Sequence, residues 1–235
     1  MVKFGIKLFG DGADLQVMKN LYDEGIVNGF TTNPTLMRNS GVTNYEAFAR
    51  SALQVIPDVP ISFEVFSDDF HAMEREARKI SSWGDNVYTK IPITNTKGES
   101  SAHLIKKLAG DGLKLNITAI LTLDQVTAVS KALSRATPSI VSVFAGRIAD
   151  TGRDPAPIMK NALKLLEANK KAELLWASSR ELYNIVQAEA CGCHIITVTN
   201  DILKKLKMFG KDLNELSLDT VKMFYNDGQS VGYNI

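Results

Sequence analysis

Short apolar, β-branched runs recur along the chain, at residues Lys3 to Phe9, Ile26 to Phe30, Ile61 to Phe66, Val87 to Ile91, Leu113 to Thr118, Ile140 to Phe144, Leu174 to Ala177 and Ile195 to Val198. Each predicts a strand, and their near-continuous apolarity fits strands buried on both faces of a parallel sheet. Between them, Asp14 to Asp23, Asp69 to Ser82, Ser100 to Leu108, Asp124 to Ala136, Pro157 to Asn169 and Arg180 to Ala190 place apolar residues at i, i+3, i+4 and i+7, the period of an amphipathic helix. Asp14, Asp124 and Ser179 stand just before such runs as N-cap candidates, and Gly25, Gly110 and Gly192 just after as stop signals. Eight strand and helix units in alternation predict right-handed βαβ crossovers and an α/β fold closed as a (β/α)8 TIM barrel. No Gly-, Ser- or Pro-rich linker divides the chain, so residues 1–217 are expected to form one barrel domain. Residues 218–235 are expected to add a helix and a polar tail of the same domain, capping the barrel or reaching a neighbouring subunit. An open doubly wound sheet is the competing architecture, but Gly10-Asp11-Gly12 stops short of the third glycine of a dinucleotide loop.

Composition narrows the chemistry. The 235 residues are 45% hydrophobic and 23% charged, with 16 Gly and 7 Pro, which is ordinary for a globular domain. Lys and Arg number 27 against 26 Asp and Glu, a formal net charge of +1. Such a chain carries no general field for nucleic acid or an anionic membrane, and any anion it binds must be held locally. His71, His103 and His194 are far apart, and the two cysteines form a single C-x-C pair, Cys191 and Cys193, so no metal-ligand spacing is present and both thiols read as small buried hydrophobes. The N-terminal stretch lacks the apolar core of a signal peptide, and no window of about 18 apolar residues exists, so a cytoplasmic protein is expected. Asn116-Ile117-Thr118 matches a glycosylation triplet but lies in an apolar run where a glycan has no room.

A barrel carries its chemistry at the C-terminal ends of its strands. The polar residues there are Asp11, Thr32 and Asn33, Glu64, Lys90, Asn116 and Thr118, Ser142 and Arg147, and Ser178 with Arg180. Polar groups in a dry interior are costly unless mutually satisfied or functional. Lys90 interrupts Val87-Tyr88-Thr89-Lys90-Ile91-Pro92-Ile93, where desolvation favours a neutral amine able to attack a carbonyl and form a Schiff base; alternatively its stem is buried while the head reaches the barrel mouth. Asp11 and Glu64 supply carboxylates for proton transfer beside that amine, or else serve as a turn residue and as an ion-pair partner of Lys90. Thr118, Asn33 and Asn116 are placed to hold a water or substrate hydroxyls. Arg147, Arg180 and Ser178, read as lying near helix starts, form a receptor for a phosphate, a place where arginine is otherwise disfavoured by the helix dipole.

These residues fall within motifs that resemble the transaldolase family, in particular its short single-domain bacterial branch, which also holds fructose 6-phosphate aldolases. The motifs are FGDGAD at 9–14, GFTTNPTL at 29–36, SFEV at 62–65, KIPIT at 90–94, NIT at 116–118, FAGRI at 144–148 and WASSR at 176–180. The resemblance implies that Lys90 forms the covalent imine, that Asp11 is the general acid and base at the C4 hydroxyl, and that Glu64 and Thr118 hold the catalytic water. It implies that Asn33, Asn116 and Ser142 bind the dihydroxyacetone portion, with Thr32 beside them, and that Arg147, Ser178 and Arg180 bind phosphate. It further implies a cofactor- and metal-free pentose phosphate pathway transferase acting on sugar phosphates, with a ring-like homo-oligomer, pentameric or decameric, joined through the C-terminal helix. Glu64 and Phe144 match the transaldolases, whereas the aldolases carry Gln and Tyr there. A fructose 6-phosphate aldolase, or a sugar phosphate binding protein without turnover, is the alternative. Gly12, Val143 and Trp176 depart from the family's usual residues.

Overall fold

In the computed structural model, which describes residues 4–233, eight parallel strands close into a barrel in sequence order. They are β1 (Lys7–Asp11), β2 (Gly29–Thr31), β3 (Ile61–Glu64), β4 (Val87–Pro92), β5 (Leu115–Ile120), β6 (Ser139–Val143), β7 (Ala172–Trp176) and β8 (Ile195–Thr199). Pairing of β1 with β8, from Lys7 opposite Ile195 to Asp11 opposite Thr199, closes the ring, so no edge is left open. The fold is the expected (β/α)8 barrel, with strand bounds moved by a few residues. Lys3 and the last two residues of the expected tail lie outside the described residues.

The helices are α1 (Leu15–Asp23), α2 (Pro34–Asn39), α3 (Tyr45–Val55), α4 (Phe70–Ser81), α5 (Ala102–Gly110), α6 (Leu123–Ala132), α7 (Ala145–Ala149), α8 (Ala156–Leu166), α9 (Tyr183–Ala190), α10 (Asn200–Leu203) and α11 (Leu213–Val231). Asp14 caps α1 by accepting from the Val17 amide, and Gly25 follows it in the left-handed region. Asp124 is not a cap. Thr122 and Gln125 form a reciprocal capping box, which leaves Asp124 in the first turn. Gly110 is the last residue of α5, and Gly112 supplies the positive φ beyond it. Ser179 does not cap α9 either, because its hydroxyl donates to the Thr197 carbonyl on β8.

Side chains alternate across each strand. One set faces the helices and joins Ile61, Phe63, Ile91, Ile117, Val141, Leu174, Trp176 and Ile196 to the helices' apolar faces in the main core. The other set points into the barrel, where Phe9, Tyr88, Ile140, Leu175, Ala177 and Ile195 form a small apolar cluster with Phe144 packed against it. The Phe9 ring fills the space that a side chain at Gly29 would need, its nearest atom 2.6 Å from such a Cβ, which is why a glycine stands inside β2. Helix α11 begins at Leu213, ahead of the expected 218, because Asp212 caps it through the Asn214 and Glu215 amides. It buries none of its residues and leaves Leu218, Val221, Phe224 and Tyr225 exposed.

Candidate active site

Above the apolar layer the inward-facing residues turn polar, and with the loops beyond the strands they line a cavity of about 400 Å³. Asp11, Thr31, Asn33, Glu64, Lys90, Thr118, Ser142, Phe144, Arg147, Ser178 and Arg180 all contribute to its wall. Most of the residues singled out from strand ends therefore converge on one chamber.

Lys90 does not reach out to solvent. It is 6% exposed, and its ammonium donates to the Thr32 carbonyl at 2.9 Å and lies 3.1 Å from Glu64 Oε2. Register places Glu64 opposite Lys90 on β3 and Asn116 opposite it on β5, so the carboxylate and the amine meet through sheet geometry. A buried charge needs such partners. The Glu64 backbone carbonyl is anchored from behind by the Tyr45 hydroxyl of α3 at 2.8 Å.

Asp11 ends β1 and accepts a hydrogen bond from the Thr31 hydroxyl at 2.8 Å. Burial raises the Asp11 carboxyl above the ordinary carboxylate range, opposed by the Lys90 charge and the Thr31 donor. Asn33 lines the cavity while its side-chain oxygen caps α2 through the Leu36 amide, with Pro34 at the first helical position.

Thr118 lines the cavity, and its buried hydroxyl has no hydrogen-bond partner among the described residues. A buried polar atom left unpaired is uncommon and marks a place where a water or ligand would be accepted. Its position depends on an irregularity in β5: the pairing with β6 shifts between Ile117 and Ile120, and Ala119 adopts φ 60°. That left-handed conformation costs about 1–2 kcal/mol for a residue with a Cβ. Ser178, at φ 61°, is the other non-glycine residue with positive φ among the described residues. Both strained residues line the cavity, as strain concentrated at functional sites would have it.

Two selected residues stand apart. The Thr32 side chain turns from the cavity and donates to the Ser62 carbonyl at 2.8 Å; its backbone carbonyl, not its hydroxyl, meets Lys90. Asn116 is fully buried, donating to the Ser62 hydroxyl at 2.9 Å and accepting from Ser142 at 2.7 Å, so it braces the wall without lining it. Trp176 and Val143 point outward into the main core, so the bulk of the indole does not enter the chamber.

At the mouth, Arg147 sits in the short α7 with its guanidinium 5.6 Å from the centre of the Phe144 ring. Ser178 and Arg180 are not at a helix start, since α9 begins at Tyr183; the Arg180 and Glu181 amides instead donate to the Asn184 side chain. The Arg180 guanidinium is forked onto Asp150, at 3.1 and 2.5 Å, and this arginine holds the Asp150 carboxyl below its usual range. Any anion at the mouth therefore meets Arg147 and an Arg180 already oriented by a carboxylate.

Strand-end reasoning missed Thr31, Thr197, Thr199, Ser62 and Ser179. Threonine is an ordinary β-strand residue, so Thr31 and Thr197 gave no signal against that background. Among the described residues no group of three His, Cys, Asp or Glu is placed to hold a metal. Cys191 and Cys193 are buried in the main core, the latter pushed up to about 12 by burial.

The family model for Transaldolase/Fructose-6-phosphate aldolase matches residues 8–235. The chain belongs to this family. Among its relatives, a protein named probable transaldolase 2 from Listeria monocytogenes is 33% identical over 202 residues, covering 86% of this chain and 88% of the relative. A probable transaldolase from Streptococcus pyogenes serotype M5 is 30% identical over 226 residues, 96% of this chain and 99% of that one. Two solved structures share the barrel alone. One, titled native KDPGal, has a TM-score of 0.54 at 11% identity and covers 84% of each chain. The other, dihydrodipicolinate synthase from Rhodopseudomonas palustris, has a TM-score of 0.50 at 12% identity, covering 92% of this chain and 79% of that one. In this transaldolase-family barrel the amine, two carboxylates and an unpartnered hydroxyl share one chamber with two arginines at its mouth.

Proposed function

We propose that the chain is a transaldolase, moving a dihydroxyacetone unit from fructose 6-phosphate or sedoheptulose 7-phosphate to erythrose 4-phosphate or glyceraldehyde 3-phosphate through a Schiff base on Lys90, as a step of the pentose phosphate pathway. The observation that carries this reading is a buried lysine 3.1 Å from a carboxylate, in a chamber that also holds Asp11.

Glu64 takes a proton from the Lys90 ammonium, and the freed amine adds to the C2 carbonyl of the donor ketose. The resulting carbinolamine loses its hydroxyl as water, protonated by Glu64 through a water held on Thr118, and leaves an iminium. Asp11 takes the C4 hydroxyl proton. The C3–C4 electron pair moves toward the iminium, giving an enamine, and the aldose leaves. C3 then attacks the acceptor aldehyde, Asp11 returns its proton to the new hydroxyl, and water releases the ketose from Lys90. Burial keeps Asp11 ready to hold that proton between the two halves.

Arg147, Ser178 and Arg180 bind the terminal phosphate in this reading, and Asn33 and Ser142 the three-carbon unit. A phenyl ring at Phe144 cannot position a water as a phenol can, which favours retaining the enamine for an acceptor over releasing dihydroxyacetone. Two further proposals accompany the activity: a cytoplasmic setting, and a homo-oligomer joined through α11. No helix among the described residues is long and apolar enough to cross a membrane.

The test is an assay with fructose 6-phosphate in the presence and absence of erythrose 4-phosphate. Glyceraldehyde 3-phosphate and sedoheptulose 7-phosphate are expected only with the acceptor. Equal release of dihydroxyacetone without it would identify an aldolase, and no turnover with retained ligand binding would leave a binding protein.

A further inference from the structure

Asp11 Oδ1 ends a chain of three oxygens inside the barrel. The Thr31 hydroxyl of β2 donates to Asp11 at 2.8 Å, and the Thr197 hydroxyl of β8 lies 2.5 Å from the Thr31 hydroxyl. Thr31 and Thr197 are both buried, and both line the cavity. Each hydroxyl has one proton and can accept as well as donate. With Asp11 ionised, Thr31 spends its proton on the carboxylate, so Thr197 must donate to Thr31. With Asp11 protonated at Oδ1, the acid donates to Thr31 and Thr31 donates to Thr197.

We propose that Thr31 and Thr197 form a reversible hydroxyl relay that holds the Asp11 carboxyl in one orientation through both of its protonation states, with Thr197 as a positioning residue acting through Thr31. The role of Asp11 in proton transfer rests on the functional reading above; the relay itself rests on the three oxygens. No proton passes between the threonines, since each hydroxyl keeps its own and rotates. A backbone amide at the place of Thr31 could donate only, and would favour the carboxylate alone. A group that must take and return one proton in each cycle needs a partner that serves both states. The Thr197 backbone is fixed independently, its carbonyl accepting from Ser179 at 2.9 Å, so its hydroxyl is free to turn on a rigid base. The remaining groups that face Asp11 are Lys90 on β4, Glu64 on β3 and the Asn33 side chain after β2.

The two threonines are distinguishable by opposite effects. Thr31→Val removes the donor to the carboxylate and is expected to raise the Asp11 pKa. Thr197→Val removes one hydrogen bond in either state. In the ionised state it leaves only an unfilled acceptor on the Thr31 hydroxyl, whereas in the protonated state it leaves the Thr31 proton buried with nothing to donate to, so the protonated state loses more and the pKa is expected to fall. Thr197→Ser keeps the hydroxyl and is expected to titrate as the unaltered protein does. The measurement is a carboxyl-carbon NMR titration of the full chain labelled at aspartate, with the Asp11 resonance assigned by its absence in Asp11→Asn and folding of each variant checked by its melting curve. It requires no turnover, so it succeeds or fails apart from the transaldolase reading. Shifts of opposite sign with serine rescue support the relay. A Thr197→Val titration that is unchanged or moves upward overturns it, as does a serine variant that behaves like valine. If Thr197→Val does not fold, Thr197→Ala replaces it with the same expected sign.

Discussion

At the scale of single residues, the chamber concentrates groups that are poor choices for stability and good ones for chemistry. Thr118 holds a buried hydroxyl with nothing to bond to. Replacing it by valine removes an unsatisfied group, so melting temperature is expected to hold or rise slightly, while kcat is expected to fall on the order of 10²-fold if the hydroxyl holds the catalytic water as proposed. A parallel loss of stability would show that the hydroxyl has a structural partner. Asp11 gives the same contrast with a pH signature. Its folded-state pKa lies above the ordinary value of about 3.9, so the folded protein is penalised for ionising it as pH rises above that value. Asp11→Asn is expected to be more stable than the parent at pH 7, with the gain shrinking as pH falls toward the ordinary aspartate value, and to lose about 10²- to 10⁴-fold in turnover. Urea titrations at several pH values would check the first part. Phe144→Tyr is expected to increase dihydroxyacetone release without an acceptor; an unchanged rate would remove the phenyl ring from the explanation.

At the scale of elements, the strands were legible because a parallel barrel buries them on both faces and writes them as continuous apolar runs. The short helices were not. Helix α2 has six residues and α7 five, too few to display a 3.6-residue period, and α7 follows directly on the strand run that ends at Phe144. Lys90, Asp11 and Glu64 were legible as charges in apolar runs, whereas the inward-facing Thr31 and Thr197 looked like ordinary strand residues. The wall hydrogen bonds of Thr32 and Asn116 were not legible for one reason: sequence gives the strand, not which hydrogen bonds its side chains make once neighbouring strands are in register. Gly146 ties two of these elements together. A Cβ there would stand 1.6 Å from the Ser178 carbonyl oxygen, so α7 and the strained turn after β7 touch backbone to backbone. Gly146→Ala is expected to cost about 1–3 kcal/mol and to raise KM for a phosphorylated substrate, because Ser178 and Arg180 must move. Normal KM in a folded variant would detach that turn from the phosphate.

At the scale of the whole molecule, 27 basic and 26 acidic residues leave almost no net charge, so in the proposed function the binding of an anionic sugar falls to the local charges of Arg147 and Arg180, which line the cavity. Raising salt is accordingly expected to weaken substrate binding only modestly, read as a small change in KM, compared with a protein steered by its global field. The apolar, exposed face of α11 is the feature a lone barrel does not explain, and in the proposed oligomer it is covered by a second copy. Replacing Leu218 and Phe224 together by aspartate is expected to shift sedimentation of the protein toward the monomer, and an unchanged profile would place the interface elsewhere.

The central claim is that Lys90 is the nucleophile. Borohydride reduction in the presence of fructose 6-phosphate, followed by proteolysis and mass spectrometry, tests it directly. The three-carbon fragment is expected to be fixed on the peptide containing Lys90. An unmodified Lys90 peptide, or a fragment fixed on another lysine, would contradict the account.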